Sequence, residues 1–238
     1  MKDQIIDWIR RRTRACGASG VVFGLSGGID SCVAGVLARK ALGRDRVLAL
    51  CLPCHSQEQD LRDALAVTRK SDIRHRVIDL TAAYDSLIAV LPPADRLTRA
   101  NIRPRLRMIT LYYLAKKLGF LVLGTSNKTE IMTGYFTKFG DGASDLLPLG
   151  ALYKGQVRQL ARELKIPEAI IAKPPTAGLW PGQTDEGEMG VTYPEIDDIL
   201  ARMEKGKRQT LSAGKVRKVR GMVECSRHKR VMPEVFKP

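Results

Sequence analysis

The sequence has few cysteines and few aromatic residues, and it has no long apolar run. Five cysteines among 238 residues are too few for a disulfide-stabilised secreted scaffold, so we expect free thiols in a reducing compartment. Cys51 and Cys54 form a C-x-x-C pair, but Cys16, Cys32 and Cys225 supply no second pair for a structural zinc site. We interpret the pair as two small residues at a strand end. No segment approaches the roughly 20 consecutive apolar residues needed to cross a membrane, and no apolar signal region precedes the first motif. These absences predict a cytoplasmic protein without a membrane partner.

Positive charge is what the sequence has in excess. Forty Lys and Arg residues oppose 25 Asp and Glu residues, a net charge of +15, which favours an anionic partner such as a nucleotide, RNA or anionic lipid. The basic residues are dense at 205–238, which we interpret as a basic C-terminal helix and tail, with a merely solvated surface as the alternative. The hydrophobic content of 44% suits one globular domain over residues 1–238 and excludes a disordered chain.

Short apolar runs alternate with segments of helical periodicity, which is typical of parallel β-α units. The right-handed crossover rule then predicts an α/β fold with a parallel sheet sandwiched by helices. Two Gly- and Pro-rich stretches, 134–150 and 172–190, are predicted to be long loops. The predicted strands are 21–25, 47–52, 76–80 and 120–123, and the predicted helices are 30–42, 56–69 (opened by a Ser56-to-Gln59 capping box), 81–91, 105–118, 154–165, 193–203 and 215–227.

A glycine-rich loop, residues 26–31 with the sequence SGGIDS, joins the first predicted strand to its helix. Two glycines allow backbone N–H groups to approach an anion, and the helix N-terminus adds partial positive charge. Asp30 would repel bare phosphate, so its placement implies a bridging Mg²⁺. Neither a Walker A loop nor a G-x-G-x-x-G fingerprint occurs. The pattern predicts a phosphate site of another type.

This loop resembles the pyrophosphate loop of the ATP pyrophosphatases, and further motifs narrow the resemblance. Together they resemble the ammonia-dependent NAD synthetases, largely the archaeal-type branch, over about residues 21–229. The resemblance implies an adenine-nucleotide alpha-hydrolase-like (Rossmann-like) three-layer fold. The motifs are 101–108 (NIRPRLRM), 124–130 (GTSNKTE), 134–142 (GYFTKFGDG), 173–178 (KPPTAG), 179–185 (LWPGQTD) and 226–230 (SRHKR).

The resemblance implies that ATP adenylates the nicotinate carboxylate of deamido-NAD and that ammonia then displaces AMP to give NAD. Asp30 and Glu130 are expected to hold Mg²⁺, the single expected cofactor. Asp141, Lys154 and Ser26 are the expected catalytic residues, because a carboxylate can attract ammonium and accept its proton while Lys154 offers a point charge to phosphate. The expected ATP-binding residues are Gly24, Leu25, Ser26, Gly27, Gly28, Ile29, Asp30, Ser31, Thr125, Lys154 and Thr176, and the expected deamido-NAD-binding residues are Arg105, Lys138, Asp145, His228 and Lys229.

Several of these assignments have plain alternatives. Asp141 and Asp145 could cap loop N–H groups, Lys138 could be a solvated loop charge, and His228 would be an exposed tail residue without the resemblance. Pro104 replaces a small residue of the family pattern, so the helix could begin there and shift Arg105.

The resemblance and the apolar pattern of 105–118 predict a homodimer. We expect no N-terminal amidase domain, because the synthetase-like motifs take up the 238 residues, and a separate glutaminase could then be the ammonia donor. The alternative functions are another ATP pyrophosphatase acting on tRNA or a different carboxylate, and a non-catalytic nucleotide sensor. A nucleic-acid partner is not expected, because no RNA-binding signature appears.

Overall fold

The computed structural model describes residues 1–176, 178 and 182–236, so Ala177 and the first three residues of the 179–185 motif lie outside the described residues. Its centre is a four-stranded sheet in the order β3-β2-β1-β4, and every pairing between neighbouring strands is parallel. The strands are β1 (Gly20–Gly24), β2 (Val47–Cys51), β3 (Arg74–Val77) and β4 (Phe120–Val122). The predicted α/β fold with a parallel sheet is confirmed.

Helices follow each strand in the chain, and further helices come after the last strand, β4. They are α1 (Lys2–Ala15), α2 (Ile29–Leu42), α3 (Glu58–Ser71), α4 (Thr81–Val90), α5 (Arg96–Ala100), α6 (Ile102–Leu118), α7 (Lys128–Thr133), α8 (Lys154–Glu163), α9 (Glu168–Ile171), α10 (Asp185–Met189), α11 (Tyr193–Glu204) and α12 (Ala213–Cys225), with a 3-10 turn at Arg227–Lys229.

The two faces of the sheet pack against different helices. Val21 and Phe23 of β1 point into one apolar cluster, built with α1, α2, α3, α8 and α9, whereas Val22 points into the other, built with α4 and α6. All three side chains are fully buried. A third cluster joins α10, α11 and α12 around Tyr193 and Ile196. Alternation along one strand therefore produces the three-layer arrangement.

Helix ends were predictable where glycine was the signal. Gly43 and Gly119 follow α2 and α6 with φ angles of 84° and 65°, a conformation that glycine adopts at little steric cost. The Ser56-to-Gln59 capping box was wrong, because α3 begins after Gln57 without a side-chain cap. The Ser56 hydroxyl instead accepts hydrogen bonds from the Cys54 backbone and the Arg107 guanidinium.

Other helix and strand boundaries differ from the predicted ones, and each difference has a physical reason. The helix predicted from Arg105 begins at Ile102, so Pro104 lies within its first turn, where a missing N–H costs little. The strand predicted at 76–80 is Arg74–Val77, an edge strand with every residue exposed, so it carries no buried apolar pattern. Among the described residues of the predicted 172–190 loop, Asp185–Met189 form the short helix α10.

The sequence predicts free cysteine thiols and no membrane-spanning segment, and the structure can be compared with both predictions. All five cysteines are free; Cys51 ends β2, and burial raises the pKa of its thiol to about 11. Among the described residues no helix is long and apolar enough to cross a membrane.

Candidate active site

The glycine-rich loop lies at the carboxyl edge of the sheet, between β1 and α2. Its hydroxyls hold its shape: Ser31 Oγ donates to the Gly28 carbonyl at 2.9 Å, and Ser26 Oγ accepts from Gly28 N at 3.3 Å. Gly27 adopts a φ of 81°, and a β-carbon there would collide with the backbone carbonyl of Asp60 in the first turn of α3. Gly28 caps α2 without a side-chain bond. The loop therefore presents a helix N-terminus suited to an anion.

Asp30, Asn127, Glu130 and Lys154 form a charged centre beside this loop. The Lys154 ammonium lies 2.5 Å from Asp30 Oδ2 and 3.1 Å from Glu130 Oε1. Asn127 Nδ2 donates to Asp30 Oδ1 at 2.9 Å, while its own Oδ1 accepts from Glu130 N at 3.0 Å. Two carboxylates, an amide and an ammonium thus meet at one point, although they come from α2, α7 and α8.

The charged centre is poorly hydrated, and its electrostatics follow from that. Burial, together with the nearby Asp30 charge, raises the pKa of Glu130 to about 7 against the pull of Lys154. Burial alone would lower the pKa of Lys154, but the two carboxylates outweigh it and raise that pKa. A carboxylate pair held this close favours a cation between or beside its members. Hard oxygen ligands in this number suit Mg²⁺, which keeps waters and substrate phosphates as its other ligands.

A second set of contacts sets the position of α7 relative to α8. Thr129 Oγ1 donates to Asp197 Oδ1 at 2.5 Å and accepts from Lys154 N at 3.0 Å. Asp197 Oδ2 also accepts from Gly155 N at 2.9 Å, and the Lys154 ammonium lies 4.9 Å from the Tyr193 ring centroid. Through Asp197, the helix α11 therefore holds the starts of α7 and α8 together, which brings Glu130 close to Lys154.

Sequence reasoning missed Asn127, Thr129, Tyr193 and Asp197 as parts of the site. A signal for Asn127 existed, because its spacing of three from Glu130 is that of a capping box, which the structure contains. Asp197 gave no comparable signal, since it lies within an ordinary amphipathic helix.

Five of the predicted residues gather around a loop of residues 134–141. Arg105 donates to the Lys138 carbonyl at 3.2 Å, and the Lys138 ammonium donates to the His228 carbonyl at 2.7 Å. The Lys229 ammonium donates to the carbonyls of Gly134 and Phe136 at 2.7 and 2.9 Å. The basic turn at Arg227–Lys229 therefore packs on this loop and is not a free tail.

Asp141 closes the same loop. Its Oδ1 accepts from Thr137 N at 2.9 Å. The carboxyl keeps part of its surface open to solvent, yet the surrounding chain restricts its hydration and raises its pKa. A carboxylate in this state is a better proton acceptor than a fully hydrated one.

Three predicted residues lie apart from these groups. The Asp145 carboxylate accepts from Val122 N at 2.7 Å and from the Tyr112 hydroxyl at 3.3 Å, so it ties the end of β4 to α6. Thr125 follows β4, and Thr176 Oγ1 accepts from Gly178 N at 3.0 Å. Within the described residues, no hydrogen bond or ion pair joins these three to the charged centre.

The fold and the site define a class of protein. A parallel α/β sheet with an S-G-G loop and paired carboxylates at its carboxyl edge is an adenine-nucleotide alpha-hydrolase fold of the ATP-pyrophosphatase type. Residues 1–233 match the model of one family within that class, described as NAD synthase. The chain belongs to the NAD synthase family.

Relatives and solved structures agree with this placement. The NH(3)-dependent NAD(+) synthetase of Archaeoglobus fulgidus is 46% identical over 235 residues, which cover 98% of this chain and 94% of that protein. The structure of NMN synthetase from Francisella tularensis superposes with a TM-score of 0.92 at 41% identity, covering 99% of this chain and 96% of the other. An NH3-dependent NAD synthetase from Campylobacter jejuni, solved with nitrate, gives a TM-score of 0.87 at 29% identity, covering 99% and 97%.

Proposed function

We propose that this chain amidates deamido-NAD with ammonia at the expense of ATP, giving NAD, AMP and pyrophosphate through an adenylated intermediate. The observation that carries the proposal is the charged centre, in which Asp30 and Glu130 flank the Lys154 ammonium beside the glycine-rich loop. Cleavage between the α- and β-phosphates places negative charge beside the Lys154 ammonium and beside the Mg²⁺ that the two carboxylates would hold. The family to which the chain belongs supports the same reaction.

Each part of the ATP site has a role in this proposal. Residues 24–31 bind the phosphates with backbone N–H groups and the Ser26 hydroxyl. Asp30 and Glu130 would hold Mg²⁺, which supplies charge neutralisation on the phosphate oxygens when bound. Lys154 holds a proton at Nζ and donates it as a hydrogen bond to phosphate. Thr125 and Thr176 bind the remainder of the nucleotide.

The 134–141 loop is the proposed site of deamido-NAD and ammonia. Arg105, Lys138 and Lys229 offer positive charge to the dinucleotide, and the His228 ring offers a hydrogen bond. Asp145, which lies apart from this loop beside the end of β4, contributes a carboxylate to the same binding site. Asp141 binds ammonium and accepts one proton from it, so that neutral ammonia can attack the adenylate. The raised pKa of its carboxyl supports this role.

Assembly, ammonia supply and cellular location complete the proposal. Ile109 and Tyr113, 59% and 65% exposed, lie one turn apart on α6, which supports a homodimer formed through this helix. Ammonia, and not glutamine, is the direct nitrogen source, with a separate glutaminase as the donor. We place the protein in the cytoplasm.

A second candidate substrate is nicotinate mononucleotide. The solved relative with a TM-score of 0.92 is described as an NMN synthetase, which is why the mononucleotide is a candidate. The same charged centre would serve either reaction, because adenylation occurs at the shared nicotinate carboxylate. Curated relatives at 42–46% identity favour the dinucleotide.

The test incubates the protein with ATP, Mg²⁺ and ammonium, and adds deamido-NAD, nicotinate mononucleotide or tRNA in separate reactions. We expect NAD, AMP and pyrophosphate in equal amounts with deamido-NAD, and a kcat/KM at least tenfold lower with the mononucleotide. Lys154→Met is the inactive control. A higher kcat/KM with the mononucleotide would replace the proposal by NMN synthesis. AMP release only with tRNA, or ATP binding without turnover, would overturn it.

A further inference from the structure

A half-buried ion cluster joins α3 to the segment that follows α9. The Lys173 ammonium lies 2.7 Å from Asp60 Oδ1 and 2.9 Å from Asp63 Oδ2. The two aspartates are three residues apart in one helix, so they occupy one face of α3. Their side chains are 26% and 14% exposed, and that of Lys173 is 26% exposed. The Lys173 cluster, these three residues, is therefore shielded more than an ordinary surface ion pair.

The Lys173 cluster borders the glycine-rich loop. The backbone carbonyl of Asp60 packs so closely on Gly27 that no side chain fits there. Burial raises the pKa of Cys32, in the first turn of α2, to about 12, and the charges of Asp63 and Lys173 add smaller opposing shifts. The cluster therefore lies next to the first turns of both α2 and α3.

Lys173 precedes Thr176 by three residues, and Thr176 is one of the proposed ATP contacts. The hydrogen bond of the Thr176 hydroxyl is local, to Gly178 N, and the Pro175 carbonyl accepts from Asp185 N at 3.0 Å. These bonds hold the segment to itself and to α10. Among the described residues, Lys173 links this segment to α3, beside the glycine-rich loop.

We infer that Lys173 is a positioning residue for ATP: by pairing with Asp60 and Asp63 it holds residues 173–176 beside the glycine-rich loop and keeps Thr176 next to the nucleotide. The inference rests on the proposed function, which assigns ATP to these two segments. The two carboxylates that hold the ammonium both belong to α3 and are not among the proposed Mg²⁺ ligands, which favours positioning over direct contact with phosphate. Burial alone would lower the pKa of Lys173, but the two aspartates outweigh it and raise that pKa, so the ammonium stays charged at neutral pH.

A double-mutant cycle tests the inference on the full chain. The variants are Lys173→Met, the pair Asp60→Asn with Asp63→Asn, all three together, and Lys173→Arg. The dissociation constant of Mg-ATP is measured by calorimetry, and KM for each substrate and kcat by NAD formation. Lys70→Met is the matched control, because Lys70 also joins α3 to another segment, through the Lys165 carbonyl, about 15 Å further along the helix.

We expect Lys173→Met and the aspartate pair each to raise the Mg-ATP dissociation constant about tenfold, and the combined variant to raise it no further. KM for deamido-NAD should change less than twofold, Lys173→Arg should recover most of the loss, and Lys70→Met should match the wild type. Circular dichroism and thermal melting verify folding, and Asp63→Asn alone replaces the pair if the pair does not fold.

Three results would overturn the inference. Unchanged ATP affinity in Lys173→Met would remove any role. Loss in Lys173→Met without loss in the aspartate variants would indicate direct contact with phosphate. Multiplied effects in the combined variant would mean that the residues act independently. Calorimetry does not depend on the second substrate, so a wild-type chain that binds ATP but makes no NAD would refute the proposed function alone.

Discussion

Replacing Asn127 with alanine should damage both the stability of the fold and the charged centre. Asn127 is fully buried and makes three hydrogen bonds within the centre: to Asp30 Oδ1 at 2.9 Å, from Glu130 N at 3.0 Å, and from its own N–H to Glu130 Oε2 at 3.2 Å. The alanine variant keeps only the last. Loss of an N-cap costs about 1 kcal/mol, and loss of a hydrogen bond to an ionised group costs about 1.5–3 kcal/mol.

The sum is about 3 kcal/mol, which for a protein of this size lowers Tm by about 6–12 °C. Thr192→Ala is the matched control. Thr192 forms the same type of capping box, with Glu195 at the start of α11, but it is exposed and forms no hydrogen bond with a residue of the charged centre. Its loss should cost about 1 kcal/mol and about 2–4 °C.

Urea unfolding with a chelator present measures both costs. The Mg²⁺ concentration for half-maximal NAD formation should rise about tenfold in Asn127→Ala, because partners that orient a metal ligand typically affect affinity by that factor or more. It should be unchanged in Thr192→Ala. Equal stability losses in the two variants, or an unaltered Mg²⁺ requirement in Asn127→Ala, would refute the assignment of Asn127 to the charged centre.

Three further predictions concern neighbouring parts of the site. Gly27→Ala should abolish ATP binding by calorimetry, because it adds a clash with Asp60 to the strain of a positive φ; Gly17→Ala, with a φ of 64° and no atom near a β-carbon, is the control for strain alone. In the absence of Mg²⁺, the folded state binds more protons than the unfolded state between pH 4.5 and about 7, because the pKa of Glu130 is raised; the free energy of unfolding should therefore fall as pH rises across that window, and Glu130→Gln should flatten the dependence in urea titrations. Lys229→Met should raise KM for deamido-NAD about tenfold and leave KM for ATP unchanged in steady-state assays, since it releases two carbonyls of the 134–141 loop; equal changes for both substrates would contradict this.

Local signals in the sequence were enough for the sheet and for most of the helices. The buried runs of β1 and β2 are apolar throughout, and Gly43 and Gly119 end their helices as glycine usually does. The edge strand β3 is shifted from its prediction because all four of its residues are exposed and three of them are polar, so no pattern of burial marked its limits. Boundary errors of this kind follow wherever tertiary position, and not local sequence, decides an element's end.

In the site, too, the residues marked by local sequence could be predicted and those brought together by tertiary contacts could not. Asp30 could be assigned from its neighbours alone, because a carboxylate in a glycine-rich phosphate loop implies a cation. The meeting of Glu130 with Lys154 could not, since α11 brings it about through Asp197, whose place in an amphipathic helix is unremarkable. The Asp145 bond to Val122 N was likewise hidden, because it depends on how β4 ends beside the following loop.

The charged centre joins positions that are far apart in the chain, and this has a kinetic consequence. Asp30 pairs with Lys154 across 124 residues and with Asn127 across 97, whereas all four strands lie between Gly20 and Val122. Closing such long loops costs chain entropy before the contact contributes any favourable free energy. A buried ammonium without its carboxylates would be costly, so α7 and α8 gain by docking in a single event. Refolding should therefore build the sheet first and reach nucleotide-binding competence only in a later, slower phase.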